Sequence, residues 1–153
     1  MFAALAIALV AVAVAIGAWF RPIPAATPTP AATTFTDQQI ADAKSRVCEE
    51  FNMVHKAVVI NTGRDGGGDP TATLAVAANA RLSLAAGGQS LLSVLGREAA
   101  TPAVLADAVR TLANDFQELA IGYMADAKNT DPAQEALLRE GDTATLTIEQ
   151  LCK

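Results

Sequence analysis

The sequence has few of the residues on which most catalytic and metal sites depend. Its 153 residues include one histidine, one tyrosine and two cysteines, and aromatic residues make up only 5%. Two cysteines exclude a small domain held by several disulfides, and the composition excludes collagen-like chains. No complete catalytic or cofactor constellation is present. We therefore expect a protein that is not an enzyme and has no cofactor and no metal.

Basic residues are also scarce. Eleven Lys and Arg residues are scattered singly along the chain, and sixteen acidic residues give a net charge of −5. Nucleic-acid binding needs clustered basic residues that neutralise phosphates, so we expect no nucleic-acid partner.

Charge is absent from residues 1–20, which read MFAALAIALVAVAVAIGAWF. At 1.5 Å per residue, a helix of this length spans roughly 30 Å, the thickness of the hydrocarbon core of a bilayer. The segment predicts a single N-terminal transmembrane helix that anchors the protein. A cleaved signal peptide is the alternative, but the apolar run is longer than usual and no basic region precedes it.

Residues 21–36 contain Pro22, Pro24, Pro28 and Pro30 among alanines and threonines. Proline lacks a backbone donor and favours extended polyproline II, so this segment is predicted to be a linker between the anchor and the following domain. The composition also fits an O-glycosylated stalk, and an unmodified linker remains equally consistent with it.

The helix-capping residues, prolines and glycines of residues 37–153 predict four helices and no strand. Thr36 and Gln39 fit a capping box at the start of the first helix, which should end near Asn61, before a glycine-rich turn. Its expected apolar stripe is Ile40, Ala43, Val47, Phe51, Val54 and Val58. Asp69 and Pro70 open the second helix. Its expected stripe is Leu74, Ala77, Ala78 and Leu82. Gly87 and Gly88 predict a bend or a restart, after which Leu91, Leu92, Val94 and Leu95 continue the apolar pattern.

A capping residue followed by proline also precedes each of the last two helices. Thr101 with Pro102 precedes the third helix, and Asp131 with Pro132 precedes the fourth, which Gly141 could interrupt. The third stripe is Leu105, Val109, Leu112, Phe116, Leu119 and Tyr123, and the fourth is Leu137, Gly141, Ala144, Ile148 and Leu151. The fold class is therefore all-α, an antiparallel bundle of four helices.

The two cysteines lie near opposite ends of this domain. Cys48 is on the first helix and Cys152 follows the last, and these helices are neighbours in an up-and-down bundle. We expect a disulfide bond between them, although two separate buried thiols are the alternative. A disulfide persists only in an oxidising compartment, so it favours an extracytoplasmic domain. Arg21 alone, lying after the anchor, would favour the opposite orientation.

The remaining polar features have simple interpretations. His55 lies on the same helix face as Cys48, and a packing role is favoured over a zinc site or a Cys-His nucleophile. The run from Gly63 to Asp69 matches neither a phosphate loop nor an EF-hand and is interpreted as a turn. The carboxylate pairs Glu49–Glu50 and Asp115–Glu118 are expected to be solvated. The positions of Asn79 and Arg81 relative to the core remain open.

Four segments resemble those of a mycobacterial family of alanine- and proline-rich membrane-anchored proteins. They are VCEEFNMVHKAVVINT, AVAANARLSLAAGGQSLL, LADAVRTLANDFQELAIGYMA and DPAQEALLREGD. The anchor, the Pro/Ala/Thr linker and the two widely spaced cysteines complete the resemblance. It implies a location in the cell envelope and supplies no catalytic residue.

These observations predict a single-pass plasma-membrane protein with an extracytoplasmic helical domain that binds another protein or an envelope component. The alternative is a carrier or sensor for a lipid or small apolar ligand, with a cavity opened by the glycine pair in the second helix.

Overall fold

The computed structural model describes residues 34–153, so the predicted anchor and most of the predicted linker lie outside the described residues. Residues Phe35–Lys153 form a compact unit. Within the described chain the regular structure is entirely helical, which confirms the predicted fold class for this domain. The four helices are α1 (Asp37–Thr62), α2 (Pro70–Arg97), α3 (Ala103–Met124) and α4 (Pro132–Leu151).

Two of the predicted helix starts are confirmed in detail. The Thr36 hydroxyl accepts the backbone N–H of Gln39 while the Gln39 side chain accepts the N–H of Thr36, which completes the capping box. Asp69 caps α2 by accepting the N–H of Thr71, with Pro70 in the first turn. Each cap satisfies amide groups that lack partners within the helix.

The other two caps differ from the prediction, although α4 begins at Pro132 as expected. The helix α3 begins one residue later than expected, at Ala103, because Thr101 donates its hydroxyl to the Glu98 carbonyl instead of capping. Asp131 makes no side-chain cap at α4, since its carboxylate accepts the N–H of Lys128 in the preceding loop.

The contacts between successive helices show that neighbouring helices run in opposite directions. Arg46 pairs with Glu98, while Val54, later in α1, lies beside Gly87, earlier in α2. Gln134 at the start of α4 lies against Gly122 near the end of α3. The helices therefore pack as antiparallel neighbours, α1 with α2, α2 with α3 and α3 with α4.

The core follows the predicted stripes of α1, α3 and α4 closely. Its largest fully buried side chains are Phe51, Leu91, Leu105, Leu112, Ile148, Val47 and Val109. Ile40 is the exception in α1, where it is exposed. Periodicity identified these faces because apolar residues three and four positions apart share one side of a helix.

The prediction for the first half of α2 is wrong, because Leu74 and Leu82 are exposed and no residue of α2 before Leu84 is buried. The prediction for its second half is confirmed, since Leu91 and Val94 are buried in the core. The helix does not restart at Gly87 and Gly88 but continues through them, just as α4 continues through Gly141. A Cβ on Gly88 would lie only 2.5 Å from the carbonyl oxygen of Ala113, so this glycine permits close approach of α2 to α3.

Candidate functional site

The predicted disulfide between Cys48 and Cys152 is present. It joins the middle of α1 to the residue that follows α4, across a sequence separation of 104 residues, with the two Cα atoms 5.6 Å apart. This covalent link matters because α1 and α4 are not among the helix pairs that pack extensively along their lengths. The disulfide therefore fixes one end of the α1–α4 seam, along which the two backbones make few other close approaches.

A groove lies along this seam, between α1 and α4, with α3 beneath it. Its volume is about 290 Å³. The apolar lining includes Val58, Leu84, Phe116, Leu119, Leu137 and Leu138. A cavity lined mainly by apolar side chains with a few polar groups is the usual setting for a small ligand, and this volume is near the lower end of the range for such sites.

The only histidine and the only tyrosine of the chain both line this groove. His55 stacks on Phe51 with ring centroids 5.4 Å apart, and its Nδ1 lies 4.0 Å from a carboxylate oxygen of Glu149. The Tyr123 hydroxyl donates a 2.7 Å hydrogen bond to the side-chain oxygen of Asn129, and burial raises its pKa above the usual value. Both rings are thus held in defined orientations at the wall of the groove.

The disulfide excludes the zinc site and the Cys-His nucleophile considered for His55 together with Cys48. Cys48 is bonded to Cys152 and so has no thiolate available as a nucleophile or a zinc ligand. Among residues 34–153, no group of three or more His, Cys, Asp or Glu side chains is placed to hold a metal ion.

The expectation that Asp115 is solvated is wrong. Its side chain is buried between α3 and α4, with 5% of its surface exposed, and its Oδ2 has no hydrogen-bond partner. Burial, reinforced by the negative charges of Glu140 and Glu118, raises the pKa of this carboxyl from 3.8 to about 6. The charged form is disfavoured because the buried carboxylate loses water without gaining a donor.

Glycine at position 141 makes room for this carboxylate. The Asp115 Oδ2 lies 3.7 Å from the place that a Cβ on Gly141 would occupy, and Gly141 itself lines the groove. The sequence gives only a weak indication that Asp115 is buried. Asp115 lies three residues after Leu112 and one before Phe116, so it borders the apolar stripe, but only the register of α3 against α4 places it opposite a glycine.

Gln134 is a second buried polar group that sequence reasoning missed. It is 4% exposed, its side chain covers Gly122, and its Oε1 has no hydrogen-bond partner. It lies in the first turn of α4 and was overlooked because residues there are usually exposed.

The other polar residues lie outside the groove. Glu49 is exposed, whereas Glu50 is half-buried and accepts a hydrogen bond from Ser90. Asn79 is exposed, and Arg81 is half-buried, close enough to Asp126 to help lower the pKa of that carboxyl after the larger effect of Lys128. Residues 63–69 form the predicted turn, in which Gly67 and Gly68 have φ angles of 57° and 86°.

No helix among the described residues is long and apolar enough to cross a membrane. Comparison of the chain with protein-family models, curated proteins and solved structures finds no match.

Proposed function

We propose that the protein is a single-pass, membrane-anchored component of the cell envelope. Its extracytoplasmic helical domain would bind a small apolar ligand in the groove between α1 and α4, without catalytic activity. The observation that carries the proposal is the groove itself, since an apolar cavity remains between two helices that are covalently tied. The disulfide supports the extracytoplasmic location because such bonds persist in oxidising compartments.

The groove has an origin different from the one expected from sequence. Gly87 and Gly88 do not loosen the bundle, because both are buried where α2 lies close to α1 and α3. The space arises instead at the α1–α4 seam, where Gly141 contributes no side chain and the disulfide sets the spacing at one end.

Native mass spectrometry of residues 35–153, purified without detergent, tests ligand binding. We expect a bound apolar molecule on the native sequence and none on Thr145→Trp, which fills the groove. Leu146→Trp is the matched control, because Leu146 is 60% exposed and does not line the groove. A ligand-free native protein, or equal retention by all three proteins, would contradict the assignment of the groove.

Membrane attachment is tested separately by extraction at alkaline pH. A helix formed by residues 1–20 should keep the protein in the membrane pellet. Release into the supernatant would show that this segment is removed as a signal peptide.

A protein partner is the second candidate. It is favoured by the first half of α2, where residues 70–83 include no buried side chain and Leu74 and Leu82 are more than 60% exposed. Exposed apolar side chains on one helix favour contact with another protein. Crosslinking in native membranes, with Leu74→Glu and Leu82→Glu as variants that should abolish the crosslink, tests this candidate.

A further inference from the structure

The charges around the groove are of one sign. Asp142 lines the groove, the carboxylate of Glu149 lies 4.0 Å from His55 at its wall, and no lysine or arginine contributes to the lining. Among the basic residues next to the lining in sequence, Lys128 pairs with Asp126, Arg139 pairs with Glu135, and Lys56 is exposed on α1. The lining itself therefore presents the carboxylate of Asp142 and no lysine or arginine.

A further carboxyl lies behind the wall. Asp115 is 95% buried, and its unpartnered Oδ2 is 3.7 Å from the Cβ position of Gly141, a residue that lines the groove. Asp115 is not among the residues that line the groove, and its Oδ2 is closed to water, so this carboxyl lies behind the wall without access to a ligand.

The size of the groove favours a small ligand, since its volume of about 290 Å³ lies near the lower end of the range for small-molecule sites. A single short aliphatic chain or one ring system suits a site of this size.

We propose that the groove binds a short aliphatic ligand that carries an ammonium head group, with the apolar body against Phe116 and Leu119 and the head near Asp142. This inference rests on the proposed function and adds the charge of the ligand to it. A cation beside these carboxylates is attracted to them, whereas a carboxylate or phosphate head would be repelled. The groove therefore discriminates against fatty acids although their chains would fit.

The chain contains a natural reporter for this site. Tyr123 is its only tyrosine, so incorporation of 3-fluorotyrosine into the full-length protein gives a single ¹⁹F resonance at the groove. The labelled protein, in phosphatidylcholine nanodiscs, is titrated with octylamine, 1-octanol and octanoate, with protein-free nanodiscs used to correct each free concentration. The three compounds have the same chain length and differ in head charge.

We expect octylamine to shift the ¹⁹F signal at roughly tenfold lower concentration than octanoate, with 1-octanol between them. Asp142→Asn should weaken octylamine up to about fivefold, as for an exposed ion pair, and leave 1-octanol unchanged. Thr145→Trp should abolish all three responses, and Leu146→Trp should preserve them. Circular dichroism checks that each variant is helical.

Different failures refute different statements. Equal binding of the three compounds, or tightest binding of octanoate, would overturn the ammonium proposal and leave the apolar groove in place. No response to any compound would overturn both the ammonium proposal and the proposed function.

A second set of nanodiscs, which contain phosphatidylethanolamine, tests whether the ligand is a free amine. The proposal predicts that the ¹⁹F signal stays in its unbound position until octylamine is added. A shift to the octylamine-bound position caused by phosphatidylethanolamine alone would show that a lipid head group is the ligand and would overturn the proposal.

Discussion

Replacement of Asp115 by asparagine should change how the stability of the helical domain depends on pH. The native carboxyl has a pKa of about 6, and an unfolded aspartate is near 3.8, so the folded state binds the proton more tightly. Stability is therefore greatest when Asp115 is protonated and falls as pH rises from about 4 to above 6. Asparagine has nearly the same shape as aspartate and cannot ionise, so the variant should lack this pH-dependent part of the free energy of unfolding.

The magnitude follows from the two pKa values. A difference of about two units corresponds to about 3 kcal/mol between fully protonated and fully ionised Asp115. Relative to pH 7.5, the native protein should gain about 1 kcal/mol from this group at pH 5 and about 2 kcal/mol at pH 4. The asparagine variant should lack that gain, whatever its stability at neutral pH.

Urea unfolding followed by circular dichroism, from pH 4 to pH 8 at constant ionic strength, measures the free energy of unfolding of each protein. The informative quantity is the stability of Asp115→Asn minus that of the native protein, which should decrease as the pH is lowered. Asp142→Asn, at an exposed carboxylate of α4, is the control and should follow the native profile. A difference for Asp115→Asn that does not vary with pH would refute the assignment of a buried, unpartnered carboxyl.

Three further experiments test the close approach of α2 to α3, the disulfide and the first helix cap. Gly88→Ala should destabilise the domain by about 1–3 kcal/mol, because its Cβ would lie 2.5 Å from the Ala113 carbonyl oxygen. Gly96→Ala is the control and should stabilise the domain by about 0.5–1 kcal/mol, because its Cβ would meet no neighbouring atom within 4 Å. Equal effects of the two variants in thermal unfolding would contradict the close approach of α2 to α3. Replacing both Cys48 and Cys152 with serine should lower the free energy of unfolding by up to about 5 kcal/mol, since the bond closes a loop of 104 residues; an unchanged urea midpoint would be inconsistent with the bond. Thr36→Ala should remove about 1 kcal/mol with its cap, and no loss would show that the capping box is not formed in solution.

The sequence predicted the features that depend on local rules. Caps at Thr36 and Asp69 need only a few neighbouring residues, and the buried faces of α1 and α3 repeat over about four turns, so both were found. The glycine pair in α2 misled the prediction, because glycine is a poor helix former and its value here lies in contacts with other helices. Leu74 and Leu82 have helical spacing and were therefore predicted to be buried. Periodicity within one helix does not show how far a partner helix extends to cover them.

The groove and Asp115 could not be predicted from local patterns. Each depends on how far α4 is displaced along α3 and away from α1, and no residue within a single helix encodes that displacement. One turn of offset between α3 and α4 would place Asp115 opposite a different residue instead of Gly141. The cysteines were the exception among long-range features, because their chemistry specifies a contact regardless of the intervening sequence.

The most direct test of the account is the state of the two cysteines in living cells, because both the extracytoplasmic location and the fixed end of the groove depend on their bond. Cells are quenched in acid, the protein is denatured without a reductant, and free thiols are labelled with a maleimide of known mass. We expect that neither Cys48 nor Cys152 is labelled until a reductant is added. Labelling of both cysteines before reduction would contradict it.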